Sequence, residues 1–312
     1  MDPMGVELTT MTRLEAAKAD GGAGRRALAF VHGGPHGGKL VATTPRADAP
    51  PAILFPDPAT WCVPWPNVAQ RDCYHIAGAS GLGKSTLARR ILDVWRLANR
   101  RAFPKADLPV YICSQEGQSG EDPAFEGLDG PVTHVPLSEA LGKVSITDLA
   151  GDGGPCAVVL DDIEGVHDSR VSGAVESFQR RLLETGRKPR VTVINIHHRG
   201  AGGRATRASL QEASYICVFP QALSGGNIGY MLKSYCAIPD EVRAQLKHAS
   251  WGRYICISQN DFPPRIVGER RVTLFDADEA SLAAKRAARH AAKAADAAEV
   301  GRGFDKLALR ED

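Results

Sequence analysis

The sequence lacks closely spaced cysteine pairs, long apolar runs and an excess of charge of one sign. Its seven cysteines are scattered singly among 312 residues, without a C-x-x-C pair, so we do not expect a zinc site. An odd number of cysteines, several of them in apolar strand-like runs, favours free thiols in a reducing compartment. No apolar run is long enough to span a bilayer, and no secretory signal is recognisable. These absences predict an intracellular protein, or one packaged with intracellular partners.

The charge balance does not by itself indicate binding to nucleic acid. The net charge is only +2, so any contact with nucleic acid must come from local basic patches. A hydrophobic content of 43% with 24% charged residues is ordinary for a globular protein. The length is sufficient for one large α/β domain or two small ones.

The most informative feature that is present lies at residues 78–86, which read Gly-Ala-Ser-Gly-Leu-Gly-Lys-Ser-Thr. This is the P-loop pattern G-x-x-x-x-G-K-S/T, whose glycines let successive backbone N–H groups curl around phosphate oxygens. Lys84 is expected to reach the β- and γ-phosphates, and the Ser85 hydroxyl to bind the accompanying Mg²⁺. The residues expected to bind the nucleotide are Gly78, Ala79, Ser80, Gly81, Leu82, Gly83, Lys84, Ser85 and Thr86.

The flanking sequence supports this interpretation of the P-loop. Residues 73–77 are suited to a short buried strand, and residues 85–100 place apolar side chains at near-helical spacing without proline or glycine. A strand, a glycine loop and a helix N-terminus together form an anion site. The chain is therefore predicted to bind a nucleoside triphosphate.

A second match to G-x-x-x-x-G-K, at residues 33–39, lacks these flanking features. Leu40 replaces the hydroxyl that would bind Mg²⁺, and Pro45 prevents a helix from starting across the next residues. We predict a turn between two strands, at 27–31 and 39–43.

The rest of the chain predicts an α/β fold with a mostly parallel sheet flanked by helices, because strands and helices alternate from residue 71 onward. The predicted strands cover 73–77, 109–113, 132–136, 157–161, 191–196, 214–219 and 253–258, with 264–275 as a further candidate segment. The predicted helices cover 85–100, 168–186, 226–236 and 239–248. The predicted organisation is a loose leader at 1–25, a small proline-broken β element at 26–70, a P-loop ATPase domain at 71–275 and an alanine-rich, basic helical tail at 276–312. That tail suits a solvated helix, a basic arm for DNA or a helix that docks on a partner.

The strand at 157–161 ends in two acids, which predict the other half of a nucleotide site. Asp161 is the expected Mg²⁺ partner, as in a Walker B element, because ligands bind at the carboxyl ends of parallel strands. Asp162 suits a group that orients or deprotonates the attacking water, and Glu164 is an alternative for that role.

The strand after the acidic one ends in two histidines followed by a basic loop. ATPases that use a carboxylate-polarised water place this strand between the P-loop strand and the acidic strand, with a polar residue at its end. His197 and His198 point to opposite sides of a strand, so at most one faces the nucleotide, and His197 is the preferred candidate. Residues 200–207 are expected to form a flexible loop. Three interpretations of its arginines, including Arg207, stay open. They act as an arginine finger on the γ-phosphate of a neighbouring subunit, they bind DNA phosphates, or they belong to a solvated loop without either role.

Over residues 70–270 the order of these motifs resembles the viral genome-packaging ATPases of the FtsK/HerA superfamily, including the poxvirus-like and Polinton-like members. The resemblance is carried by Ser114-Gln115 followed by Glu121-Asp122-Pro123-Ala124, by Leu160-Asp161-Asp162-Ile163, by Ile196-His197-His198, by Arg207 before 215–219, and by 254–257 followed by Asp261 and Pro263. The sequence departs from many members, which have Glu in place of Asp162 and Gln at the strand-end histidine.

The resemblance implies a RecA-like (ASCE) P-loop fold and a homo-oligomeric ring that hydrolyses Mg·ATP to move double-stranded DNA into a capsid. It implies that Asp162 activates water, that His197 contacts the γ-phosphate and that Arg207 acts on a neighbour's nucleotide. Capsid or portal-vertex proteins are further candidate partners, at the site of virus assembly in the host cell or in the virion. Two other functions stay open: a P-loop kinase for nucleotides or small molecules, and a non-catalytic nucleotide-dependent switch or scaffold.

Overall fold

The computed structural model describes residues 5–19, 26–45, 49–115, 122–150, 154–222, 226–238, 240–247, 249–260 and 265–274. The alanine-rich segment predicted as a basic helical tail lies outside these residues. In the described part of the chain, no helix combines the length and the apolar character that crossing a bilayer requires.

The N-terminal region forms a small antiparallel sheet. Its elements are β1 (Gly5–Thr9), α1 (Met11–Ala19), β2 (Ala27–His32), β3 (Leu40–Thr44), β4 (Ala52–Leu54) and β5 (Trp61–Pro64). The sheet has the order β1-β3-β2-β5, whereas β4 joins the main sheet. The second G-x-x-x-x-G-K match lies between the paired strands β2 and β3, as predicted for a turn.

The prediction of a loose leader over residues 1–25 is wrong for β1 and α1. Strand β1 pairs with β3 over five residues, from Gly5 opposite Thr44 to Thr9 opposite Leu40. Val6 and Leu14 are buried in the apolar core. These anchors are single apolar side chains in a short polar stretch, too few to produce a recognisable period.

The main body alternates strands and helices along the chain. Its elements are β6 (Cys73–Ala77), α2 (Lys84–Ala102), β7 (Val110–Ser114), β8 (Val132–Pro136), α3 (Ile146–Leu149), β9 (Cys156–Asp161), α4 (Ser169–Thr185), β10 (Val191–His197), α5 (Gly203–Gln211), β11 (Tyr215–Val218), α6 (Gly226–Ser234), α7 (Asp240–Leu246), β12 (Ile255–Ser258), β13 (Arg265–Gly268) and β14 (Arg271–Leu274). The predicted strands and helices in this region agree with these bounds to within two residues, and the candidate segment at 264–275 is the hairpin β13–β14.

The ten strands of the main sheet have the order β4-β14-β13-β12-β11-β6-β10-β9-β7-β8. Strands β8, β7, β9, β10, β6 and β11 run parallel, and β12, β13, β14 and β4 extend the sheet with antiparallel pairings. The strand β10 lies between the P-loop strand β6 and the acidic strand β9, as predicted. This strand order and the helices on both faces confirm the predicted RecA-like P-loop fold.

Two apolar layers cover the parallel strands, one on each face. Helix α2 packs on one face with Tyr74 and Ile76 of β6. Helix α4 packs on the other face, where Cys73 belongs to the second apolar cluster. Because side chains alternate along a strand, His75 of β6 shares the α4 side with Cys73. Because both faces of the sheet are covered, these strands have continuous apolar sequences.

Candidate nucleotide site

The P-loop connects β6 to α2 and requires its glycines for geometric reasons. Gly81 and Gly83 have φ angles of 78° and 93°, in the left-handed region that side chains disfavour. A Cβ on Gly78 would lie 2.8 Å from a ring carbon of Phe219. Gly83 directly precedes α2, so the loop ends at a helix N-terminus, where free backbone N–H groups favour anions.

Lys84 folds back over the loop. Its Nζ donates to the carbonyl oxygen of Ala79 at 3.0 Å, and the side chain is buried. Burial lowers the pKa of the Lys84 ammonium, while the nearby charges of Asp161, Asp162 and Glu164 act in the opposite direction. The ammonium therefore lies within electrostatic reach of Asp161 at the end of β9 and of the two acids that follow it.

Asp161 ends β9 in a partly buried position. Burial, together with the negative charges of Asp122 and Asp162, raises the pKa of this carboxyl to about 6, against the opposing effect of Lys84 and His198. A bound cation would offset that cost. Ser85, in the first turn of α2, and Asp161 supply a hydroxyl and a carboxylate, the hard oxygen donors that Mg²⁺ prefers. These residues fit a magnesium ion.

Asp162 and Glu164 form the turn immediately after β9. Asp162 has a φ angle of 49° and precedes a single 3₁₀ turn over Ile163–Gly165. A non-glycine residue in this left-handed region is uncommon and costs conformational energy. The turn directs the two carboxylates to different partners: Asp162 Oδ1 lies 3.4 Å from His198 Nε2, and Glu164 Oε1 accepts from His197 Nδ1 at 2.7 Å.

The two strand-end histidines point to opposite sides, as predicted, but the prediction that His197 is the one beside the P-loop is wrong. His197 is fully buried on the α4 side, bonded to Glu164 and stacked on His75 with ring centroids 4.6 Å apart. His198 retains 40% exposure of its side chain, and its Nδ1 lies 3.4 Å from Lys84 Nζ. The structure therefore places His198, not His197, beside the P-loop lysine.

The predicted flexible arginine loop is also corrected, because most of it belongs to helix α5. The helix covers Gly203–Gln211, and Arg207 is an exposed residue in its middle. Arg207 forms no ion pair with a described residue. The sequence signal that was missed is the stretch from Ala205 to Leu210, which has no glycine or proline and is compatible with a helix.

His75 is the residue that sequence reasoning overlooked. The sequence identifies it only as part of the P-loop strand, yet its Nδ1 lies 2.9 Å from Ser209 Oγ of α5 and its Nε2 lies 3.1 Å from the Gly200 carbonyl oxygen. The available signal was a histidine inside an apolar strand three residues before the P-loop.

Comparison with known proteins gives distant similarities. No family model matches the chain. A stretch of 179 residues is 28% identical to the uncharacterised protein V3 of Sputnik virophage, covering 57% of this chain and 67% of the virophage protein. The structure of the pCW3 conjugation coupling protein TcpA with ATPγS gives a TM-score of 0.44 at 12% identity, over 88% of this chain and 86% of TcpA. The genome packaging NTPase B204 of Sulfolobus turreted icosahedral virus 2, in complex with ATPγS, gives 0.40 at 13% identity, over 65% and 99%.

The fold itself follows from the strand order and the P-loop geometry, not from these distant matches. The P-loop, the acidic strand end and His198 meet at the carboxyl ends of the parallel strands β6, β9 and β10. The chain is a P-loop protein of the RecA-like type, with sequence similarity to a virophage protein.

Proposed function

We propose that this chain is an ATP-hydrolysing motor of the FtsK/HerA type that moves double-stranded DNA, and that it packages a viral genome into a capsid. The observation that carries the proposal is the position of His198, whose two ring nitrogens lie 3.4 Å from Lys84 Nζ and 3.4 Å from Asp162 Oδ1. In this proposal Lys84 binds the phosphates, His198 contacts the γ-phosphate and Asp162 is the base. The order of the sequence motifs and the similarity to a virophage protein support the viral setting.

Each side chain of this site has its own role in hydrolysis. The loop amides and Lys84 hold the β- and γ-phosphates, and Ser85 and Asp161 would hold Mg²⁺, which would neutralise charge on those phosphates. Asp162 accepts a proton from the attacking water as the water oxygen bonds to the γ-phosphorus and the bond to the β-phosphate oxygen breaks. His198 donates to the transferring phosphoryl group, and Lys84 stabilises its charge.

The oligomeric part of the proposal is based on Arg207. An exposed arginine on α5, without an ion pair to a described residue, is free to act on the nucleotide of a neighbouring subunit in a homo-oligomeric ring. DNA would be held by its phosphates without reading of sequence. Capsid or portal-vertex proteins are the further partners that a packaging role requires.

The proposal is tested with Asp162→Asn, which removes the base and keeps the shape of the side chain. ATP binding should remain, and release of inorganic phosphate should fall at least about 100-fold. Asp168→Asn is the matched control, because Asp168 caps α4 through its side chain and asparagine caps equally well. Unchanged hydrolysis in Asp162→Asn would contradict the mechanism. Transfer of phosphate to a nucleotide acceptor would indicate a kinase, and tight binding by the unmodified chain without turnover would indicate a switch.

A further inference from the structure

A buried histidine occupies a central position in the sheet, where an apolar residue would serve the fold more simply. His75 is fully buried in β6, between β10 and β11, opposite Asn195 and Ile216. Removing a polar ring from water is costly unless its nitrogens are hydrogen-bonded. Central strands of parallel sheets are normally apolar for this reason. The position of His75 therefore calls for a function that its two hydrogen bonds provide.

The partners of His75 determine its protonation. A carbonyl oxygen only accepts, so Nε2–H donates to the Gly200 oxygen at 3.1 Å. Burial, and then the proximity of His197, hold the pKa of His75 well below its usual range, so the ring is neutral. Nδ1 is then a bare acceptor for the Ser209 hydroxyl at 2.9 Å. One ring thus bonds to two different segments, each with a defined direction.

Both segments belong to the proposed catalytic machinery. Gly200 lies two residues after His198, in the connection between β10 and α5, and a Cβ on Gly200 would lie 2.8 Å from Ile228 of α6. Ser209 is buried in α5, two residues after Arg207. His75 also stacks on His197, which donates to Glu164 at 2.7 Å. The P-loop strand therefore contacts, through one side chain, the segment that carries His198 and the helix that carries Arg207, and it reaches Glu164 only through His197.

We propose that His75 is a positioning residue for the reaction: it fixes the His198 segment and helix α5 relative to the P-loop strand. This inference rests on the proposed function, because His75 acts through His198. Its Gly200 contact sets the distance between His198 and the cluster of Lys84 and Asp162. Its Ser209 contact holds α5 against the same strand. His75 itself does not touch the phosphates.

The test is a double-mutant cycle with His75→Phe and His198→Ala, measured as ATP turnover. Phenylalanine keeps a flat aromatic ring, slightly larger than imidazole, for the stack on His197 but removes both hydrogen bonds. In the otherwise unmodified chain, His75→Phe should lower kcat roughly tenfold and change the KM for ATP less than about twofold. In the His198→Ala chain the same substitution should change kcat by less than about twofold, because the group being positioned is gone. An equal loss in both backgrounds, or no loss in either, would overturn the proposal.

Two further variants keep the test decisive. If His75→Phe does not fold, Ser209→Ala removes only the hydroxyl that donates to Nδ1. This variant frees the ring that also holds the Gly200 carbonyl, so its smaller loss, about threefold, should likewise vanish in the His198→Ala background. Gln179→Leu is the matched control. It removes another buried hydrogen bond on the same face, from Gln179 Nε2 to Asn195 Oδ1 at 2.9 Å, without touching the His198 segment. Its effect on kcat should stay within about twofold in both backgrounds. A chain that never hydrolyses ATP would refute the proposed function, whereas normal turnover in His75→Phe would refute only the positioning role.

Discussion

The ammonium of Lys84 lies 3.4 Å from Nδ1 of His198, so the P-loop lysine and the strand-end histidine are direct neighbours. The same ring reaches Asp162 through Nε2. Because an ammonium only donates, Nδ1 accepts from Lys84, and Nε2 faces the Asp162 carboxylate at 3.4 Å. A γ-phosphate bound by Lys84 would compete for these same groups. His198 is thereby placed to respond to the presence of that phosphate.

Replacing the two adjacent histidines separately tests this assignment. His198→Ala should lower kcat roughly 10- to 100-fold, because the side chain lies beside Lys84 and Asp162. It should cause little loss of folding stability, because the side chain is partly exposed. His197→Ala should instead lower the melting temperature, because it leaves a cavity beside Glu164 and His75. Steady-state kinetics and thermal unfolding of both variants separate the two roles. A loss of kcat confined to His197→Ala would reverse the assignment.

The chain contains its own control for the P-loop lysine. Lys84→Ala should abolish ATP binding, or reduce turnover by at least about 100-fold, because the ammonium has no substitute at the β- and γ-phosphates. Lys39→Ala alters the matching lysine of the second glycine-rich segment, which connects β2 and β3, and should leave binding unchanged. Nucleotide titration of both variants is the measurement. Normal turnover in Lys84→Ala would exclude this loop as the ATP site.

Arg207 is predicted to act between subunits. If it stabilises charge on a neighbour's nucleotide, mixtures of Arg207→Ala and unmodified chains should lose activity faster than the fraction of altered chains increases. Mixtures that contain Arg180→Ala, at another exposed position on a helix, should not lose activity faster than the fraction of altered chains increases. The measurement is ATP turnover against the mixing ratio. A linear decline would show that Arg207 acts, if at all, within its own subunit.

Glu269 is expected to make stability depend on pH. Its buried carboxylate accepts from Arg90 at 2.7 Å and from Arg253 at 2.8 Å, linking α2 to the strand region around β12 and β13. Burial raises the pKa, but the hydrogen bonds from Arg253 and Arg90 outweigh it and hold the pKa at about 2, below the usual 4.5. Because the folded-state pKa is lowered, the stabilisation is complete above pH 4.5 and is lost as the pH falls toward 2.

Glu269→Gln should therefore lower the free energy of unfolding by about 2–3 kcal/mol at pH 7, and the difference from the unmodified chain should shrink near pH 3. Denaturant unfolding at both pH values measures it. Asp129→Asn is the control, because the ion pair of Asp129 with Arg100 is exposed and should contribute far less. A difference that does not change with pH would contradict the ionic origin of the stabilisation.

The sequence allowed the P-loop and the parallel core to be predicted because both depend on local signals. Gly81 and Gly83 are required by backbone angles, and continuous apolar runs identify strands buried on both faces. The strand-end histidines show what local sequence patterns do not determine. Alternation predicts that His197 and His198 diverge, but which of them faces Lys84 depends on where β10 ends relative to its neighbours. The role of His75 was not accessible either, because its partners lie 125 and 134 residues away in the chain.

The most direct test of the central claim is the rate of ATP hydrolysis by the unmodified chain with and without double-stranded DNA, measured together with its oligomeric mass. We predict that DNA increases phosphate release several-fold in an oligomeric species, and that Asp162→Asn abolishes both the basal and the stimulated rate. A monomeric chain whose hydrolysis does not respond to DNA, or one that transfers the γ-phosphate to a nucleotide instead of water, would contradict the account.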